Sequence, residues 1–285
     1  MALESYLSSV LPPSFTTLHW AYQLHYYICF RTRWRREEFG TANRATALSR
    51  LLVEICANHD YHLLQHKVYS DHLRCLVSLR PDQSISAVIN KLKSNVSREF
   101  SSAFSLEPPL WATGYLARSV GRVRIRAVKQ YLAHQAEHHG YSARVRPPVV
   151  RHRSERPTVL RAAHAVFDLN YHLVFATRYR RSIFGSTLGR ELVDYWLKVA
   201  EKRGFALDEA TVLPDHVHLL VKLAGKASIQ DCALSLMNNS QLWIAKRHKG
   251  ALIQANIDSL WQPSAYAGTC GKVTTAMVRA FLGSA

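Results

Sequence analysis

Acidic residues are scarce in this 285-residue chain: 20 aspartates and glutamates stand against 37 lysines and arginines, a formal charge of +17. So large a positive excess points to a polyanionic partner, either nucleic acid or a membrane surface. No apolar run of bilayer-spanning length is present, and no amphipathic basic helix stands out. Met1-Ala-Leu-Glu-Ser lacks the charged and apolar regions of a secretory signal. Nucleic acid is therefore the expected partner, with no membrane, and the expected location is cytoplasmic and nucleoid-associated. Cysteine is also thin. Cys29, Cys56, Cys75, Cys232 and Cys270 form no Cys-x-x-Cys pair, which excludes a disulfide framework and a cysteine-based zinc site.

What the chain does have is one module written twice. The run Leu24 to Gly40 reappears 145 positions later as Leu169 to Gly185, keeping Phe-x-Thr-Arg-aromatic-Arg-Arg at its centre. Asp71-His72-Leu-Arg74 returns 144 positions later as Asp215-His216-Val-His218. Leu110-Trp111 returns as Leu260-Trp261, and Val128-Lys-Gln-Tyr131-Leu132 as Val278-Arg-Ala-Phe281-Leu282, both 150 positions on. Kept order with slight drift in spacing is the mark of tandem duplication. The second copy keeps the paired histidines and lacks the tyrosine; the first keeps the tyrosine and only one histidine.

Residues 144–158, rich in proline and arginine, read as an extended basic linker between a domain at 1–143 and another at 159–285. In each copy an aromatic β-rich run (Trp20–Phe30, Ala165–Thr177) leads into a basic turn. A helix follows (Ala45–His59, Gly189–Gly204), then a strand pair ending in the Asp-His run. Next comes a helix opened by Ser84 or Ser228, then the Leu-Trp segment. The order predicts an α+β module with an antiparallel sheet. A last helix is expected over Arg122–His139 in copy one, closed by Gly140, and its counterpart runs to Ala285.

Alternation in Asp215–Val221 places His216 and His218 on one strand face, with Val217 on the other. Two imidazoles on one face begin a divalent-metal site; the same spacing also suits a polar pair on a half-exposed strand. Tyr131 and Gln135, four residues apart, share a helix face. A tyrosine attacks phosphorus near neutral pH only with help, which a neighbouring metal can give. An amphipathic helix with Tyr131 in the core is the plainer alternative.

Together these segments resemble the small single-tyrosine HUH transposases of the insertion sequence 200/605 type, including relatives associated with repetitive extragenic palindromes. The resemblance rests on Tyr171–Arg181, Asp215–Val221, Leu110–Tyr115, Ser119-Val-Gly121 and Tyr131–His139, and covers nearly the whole chain. It implies two ferredoxin-like HUH palms that form an intramolecular pseudo-dimer. Each mobile tyrosine helix would dock against the partner's histidines. The implied reaction is magnesium- or manganese-dependent cleavage and rejoining of single-stranded, hairpin-containing DNA through a 5′-phosphotyrosine. Carried over, His216, His218 and Gln135 become metal ligands and Tyr131 the nucleophile. Arg33, Arg35, Arg36, Arg178, Arg180 and Arg181 are candidate DNA contacts.

The departures sort in an informative way. Arg74 replaces the second histidine of copy one and cannot ligate a metal; Phe281 and Ala285 stand where copy two would have its tyrosine and glutamine. Sites built within copies would both be broken. Sites built between copies would leave one complete, with His72, Arg74, Phe281 and Ala285 as its degenerate counterpart. The rival expectation is a domesticated hairpin-binding protein in which Arg74 grips phosphate. A third is an RNA-binding module whose Tyr26, Phe30, Tyr171 and Phe175 stack bases. Further oligomerisation beyond the pseudo-dimer stays open.

Overall fold

The computed structural model describes residues 11–121, 124–134, 150–155, 160 and 165–283. The first copy contributes β1 (His19–Gln23), β2 (His25–Arg31), α1 (Ala42–Asn58), β3 (His62–Val68), β4 (His72–Ser78), α2 (Ile85–Phe104), β5 (Tyr115–Val120) and α3 (Ile125–Ala133). A short β6 (Val150–Arg153) precedes the second copy. That copy follows as β7 (Ala165–Thr177), α4 (Ser186–Arg203), β8 (Ala206–Leu213), β9 (His216–Leu223), α5 (Ile229–Arg247), α6 (Lys249–Ala255), β10 (Trp261–Cys270) and α7 (Thr275–Gly283).

Local chemistry explains the helix boundaries. Thr41, Ser84 and Ser228 each accept a backbone N–H of the first turn of α1, α2 and α5. At α5 the Asp231 carboxylate returns to Ser228 and completes a capping box. Gly204, at φ 71°, closes α4 in the left-handed region that a side chain resists. Leu48, Leu52 and Ile55 on α1, and Ile85, Ile89, Leu92 and Val96 on α2, recur at helical spacing and are buried. One core cluster holds these residues together with Leu192, Trp196, Leu236 and Trp261 of the second copy.

The strands form one ten-stranded sheet. Inside each copy every pairing is antiparallel, in the orders β3-β4-β2-β5 and β8-β9-β7-β10. Between copies the pairings are parallel, β1 on β10 and β5 on the first residues of β7. Each copy's own sheet is antiparallel, as its order of elements predicts, and the whole becomes mixed because the two join through parallel pairs. An unpaired edge exposes a row of N–H and C=O groups, and here each copy's inner edge is satisfied by the other copy.

The junction contacts come in pairs with the copies exchanged. Trp20 lies opposite Ala265, and Tyr115 opposite Ala165. The Ser119 hydroxyl donates to the Cys270 carbonyl at 2.6 Å, and its counterpart Thr269 donates to Val120 at 2.6 Å. Ser86 N–H donates to the Gly225 carbonyl at 2.9 Å, and Gln230 N–H to Pro81 at 3.0 Å. The equivalent tyrosines Tyr26 and Tyr171 meet hydroxyl to hydroxyl at 3.1 Å. Gly121 N–H donates to the carbonyl of its own counterpart, Gly271. A Cβ on Gly121 would sit 1.9 Å from the Thr269 carbonyl oxygen, so only glycine fits.

Part of the segment read as linker is strand. β6 pairs antiparallel with β8, Val150 opposite Val212, and Val150 packs where a Cβ on Gly189 would lie 2.9 Å from its Cγ2. Extended backbone of this kind suits a sheet edge. Residues 144–149 and 156–158 lie outside the described residues, as do Gln135–Gly140 of the anticipated last helix and Ala285. No described helix is long and apolar enough to cross a membrane.

Candidate active site

β9 sends Val217 into the core and turns His216 and His218 to the opposite face, both buried, with ring centroids 5.1 Å apart. Each imidazole is engaged at Nδ1. His216 Nδ1 lies 2.6 Å from the Asp215 carboxylate, which Arg180 engages from its other oxygen at 2.9 Å. His218 Nδ1 lies 3.1 Å from Nε2 of His172 on the neighbouring strand β7, the two rings stacked at 5.3 Å. Burial pushes His172 down to about 4, so it is neutral near pH 7. A ligating imidazole commonly has its second nitrogen fixed in this manner, by carboxylate or another polar group. The donor set fits a divalent cation held through the Nε2 atoms of the two imidazoles. Among the described residues no group of three or more His, Cys, Asp or Glu could hold a metal, so within these residues the two imidazoles would need an amide, water or phosphate oxygen to complete a shell.

The helix beside these histidines belongs to the other copy. Val128 and Leu132 of α3 pack on Leu220 of β9 and Cys270 of β10. Tyr131 lies edge-on to His218 at 5.5 Å and to His172 at 6.1 Å between ring centroids. Two polar contacts pin the helix: the Thr211 hydroxyl donates to the Leu132 carbonyl at 3.0 Å, and Lys129 pairs with Glu209 at 3.0 Å. Tyr131, His216 and His218 are thus gathered in one place, while Gln135 is outside the described residues.

The counterpart site has the same frame and different contents. His72 Nδ1 meets Asp71 at 2.7 Å, and Asp71 meets Arg35 at 2.8 Å. Burial alone would raise the Asp71 carboxyl, but its bonds from His72 and Arg35 outweigh that and hold it low. Burial likewise lowers His72, against the pull of Asp71. Arg74 Nε donates to His72 Nε2 at 3.1 Å, engaging the lone pair a metal would need, and its guanidinium lies 4.3 Å over the Tyr69 ring. α7 supplies Val278, Phe281 and Leu282 against Cys29 and Leu116 of copy one. Arg31 and Arg35 donate to the Leu282 carbonyl at 3.3 and 3.0 Å, so each terminal helix is pinned at the same carbonyl.

The six turn arginines divide by role. Arg35 and Arg180 hold the aspartates, and Arg36 donates to the Glu107 and Pro109 carbonyls. Arg33 lies over Trp34 and Arg178 over Tyr179; Arg181 is exposed. Tyr26, Phe30, Tyr171 and Phe175 are buried at 3 % exposure or less, so they are core and unavailable to bases. His172, Asp71 and Asp215 were not singled out from the sequence. The last two were legible in the repeated Asp-His run; nothing in the spacing marked His172.

The family model described as "Transposase IS200 like" matches twice, over residues 20–135 and 165–284. The chain belongs to the IS200-like transposase family. Curated relatives match one copy's length: the transposase for insertion sequence element IS200 of Salmonella typhimurium is 28% identical over 112 residues, 39% of this chain and 74% of its own. The ISDra2 transposase TnpA of Deinococcus radiodurans is 29% identical over 122 residues, 42% of this chain and 85% of its own. Among solved structures, a putative transposase from Deinococcus radiodurans aligns with TM-score 0.36 and 24% identity, over 44% of this chain and 95% of its own. A REP-associated tyrosine transposase bound to a REP hairpin aligns with TM-score 0.29 and 13% identity, over 47% and 75%.

Proposed function

We propose that this member of the IS200-like transposases is an intramolecular pseudo-dimer that nicks and rejoins single-stranded DNA at one composite site. The observation carrying the reading is the placement of Tyr131, from the first copy, against His218 of the second. The Tyr131 oxygen attacks the scissile phosphorus, forming the Tyr–O–P bond as the P–O3′ bond breaks. The phenol gives its proton to solvent, and the departing 3′ oxygen takes one up. Attack by a 3′-hydroxyl on the phosphotyrosine reverses the step and joins strands. Magnesium or manganese held by His216 and His218, with Gln135 as third ligand, would polarise the phosphate. Asp215 and His172 orient the two imidazoles, and Thr211 and Lys129 keep α3 docked. The expected substrate is hairpin DNA with an unpaired extension.

A labelled hairpin with a single-stranded extension, incubated with manganese and resolved under denaturing conditions, tests this. Wild type should form a covalent adduct. Tyr131→Phe should form none while binding DNA with nearly unchanged affinity, since only the attacking oxygen is lost. Normal cleavage by Tyr131→Phe would refute the composite site. The second reading, a DNA-binding protein without chemistry, draws on Arg74 occupying the His72 lone pair. It would be favoured by tight binding with no adduct from wild type.

A further inference from the structure

The basic turn of each copy holds an aromatic residue outward in strained backbone. Trp34, at φ 55° and ψ 21°, is 75% exposed, and Tyr179, at φ 54° and ψ 24°, is 64% exposed. The following arginines, Arg35 and Arg180, are left-handed too, at φ 56° and 55°. A bulky residue in that region is an outlier that persists only where its surroundings enforce it. Here the enforcement is visible: Arg35 and Arg180 are tied to Asp71 and Asp215, while Thr32 and Thr177 hydroxyls donate to the Arg36 and Arg181 carbonyls at 2.7 Å. Each exposed ring carries a guanidinium, Arg33 at 4.2 Å from Trp34 and Arg178 at 4.9 Å from Tyr179. The copies have diverged at the second histidine and at the tyrosine, yet these turns agree to within a few degrees.

We infer that Trp34 and Tyr179 are stacking platforms for unpaired bases of the DNA strand, one per copy. An exposed ring propped by a cation offers a flat π-face at little ordering cost, and it does so beside arginines able to meet the adjoining phosphates. The turns that carry them are tied through Arg35 and Arg180 to the aspartates that orient His72 and His216, so the Tyr179 platform is coupled to the proposed cleavage site. The platform over Trp34 stands beside the site that has lost its chemistry, where it would hold a strand without cutting it. The ligand class is a single-stranded nucleobase of any identity, because every base has a π-face.

The inference rests on the DNA reading above, and the test separates the two. Full-length protein is titrated with a hairpin bearing a single-stranded extension and with the same hairpin blunt-ended. Tyr179→Ala and Trp34→Ala should each weaken binding of the extended hairpin by about tenfold and leave the blunt hairpin unaffected. The salt dependence should be unchanged because no charge is removed. Trp34→Phe should restore affinity. Trp34→Gly relieves the left-handed strain, so it should melt no lower than wild type and still lose the extension-dependent affinity. An abasic site at the stacked position should lower wild-type affinity and leave Tyr179→Ala unchanged. Equal losses on blunt and extended hairpins, or alanine variants that bind both like wild type, overturn the platforms while the nicking proposal stands. A wild type that prefers no extended hairpin overturns both.

Discussion

Asp215 touches two things at once, the imidazole of His216 and the guanidinium of Arg180. Its charge fixes the histidine tautomer with the proton on Nδ1 and so would present Nε2 to the proposed metal. Asp215→Asn should lower manganese affinity by about 10–100-fold and slow adduct formation, recoverable in part at high metal concentration. Calorimetric titration with manganese reads the first effect, and the adduct assay the second. Asp71→Asn, the same change in the other copy, should leave both unchanged, because Arg74 already occupies His72. His72→Ala should be silent in the adduct assay for the same reason. If His72→Ala abolishes cleavage, the sites have been assigned to the wrong copies.

At the scale of elements, what matters is how a nine-residue helix stays on a foreign sheet. α3 has only two fully buried apolar side chains, so the Thr211 bond to Leu132 is a sizeable share of its anchorage. Thr211→Val removes about 1 kcal/mol and should raise amide exchange in α3 selectively while lowering the adduct rate. The junction is the opposite case. Gly121→Ala forces a methyl against the Thr269 carbonyl, and backbone cannot yield as a side-chain tip can. A loss of at least about 2 kcal/mol is expected, seen as a fall in Tm of several degrees. The strained turns cost roughly 1–2 kcal/mol per left-handed residue, a cost borne at four positions.

Much of this was legible in the sequence. Repeat spacing, the serine caps and the alternation around His216 and His218 are local signals, and the segregated losses at Arg74 and Phe281 suggested which copy's helix meets which histidines. Less legible were features made only by assembly. The parallel pairing of β5 with β7 leaves no local periodicity, since parallel and antiparallel strands alternate alike. β6 looked like a linker because Val-Arg-His-Arg is short and basic and is flanked by Pro147, Pro148 and Pro157. His172 is third in the site only because β7 lies beside β9, and Trp34 gave no hint of its backbone.

For the whole molecule, the shared sheet and the common core predict a single cooperative unfolding transition by calorimetry. Two resolved transitions would mean that the copies are energetically separate. With +17 of formal charge, DNA affinity should fall steeply between 50 and 200 mM salt, with a log–log slope that counts the phosphates contacted. A slope near zero would remove electrostatics from the binding.

The helix bearing Tyr131 reaches its histidines within one covalent chain. A site shared by two separate subunits vanishes on dilution below their dissociation constant, whereas here the partner's local concentration is fixed by the connection itself. Turnover per molecule should therefore stay constant as the protein is diluted through the nanomolar range. The same tether allows inequality: two identical subunits must carry every substitution in both sites, but a fused pair can let Arg74 of one copy and Phe281 of the other collect at one site and spare the second.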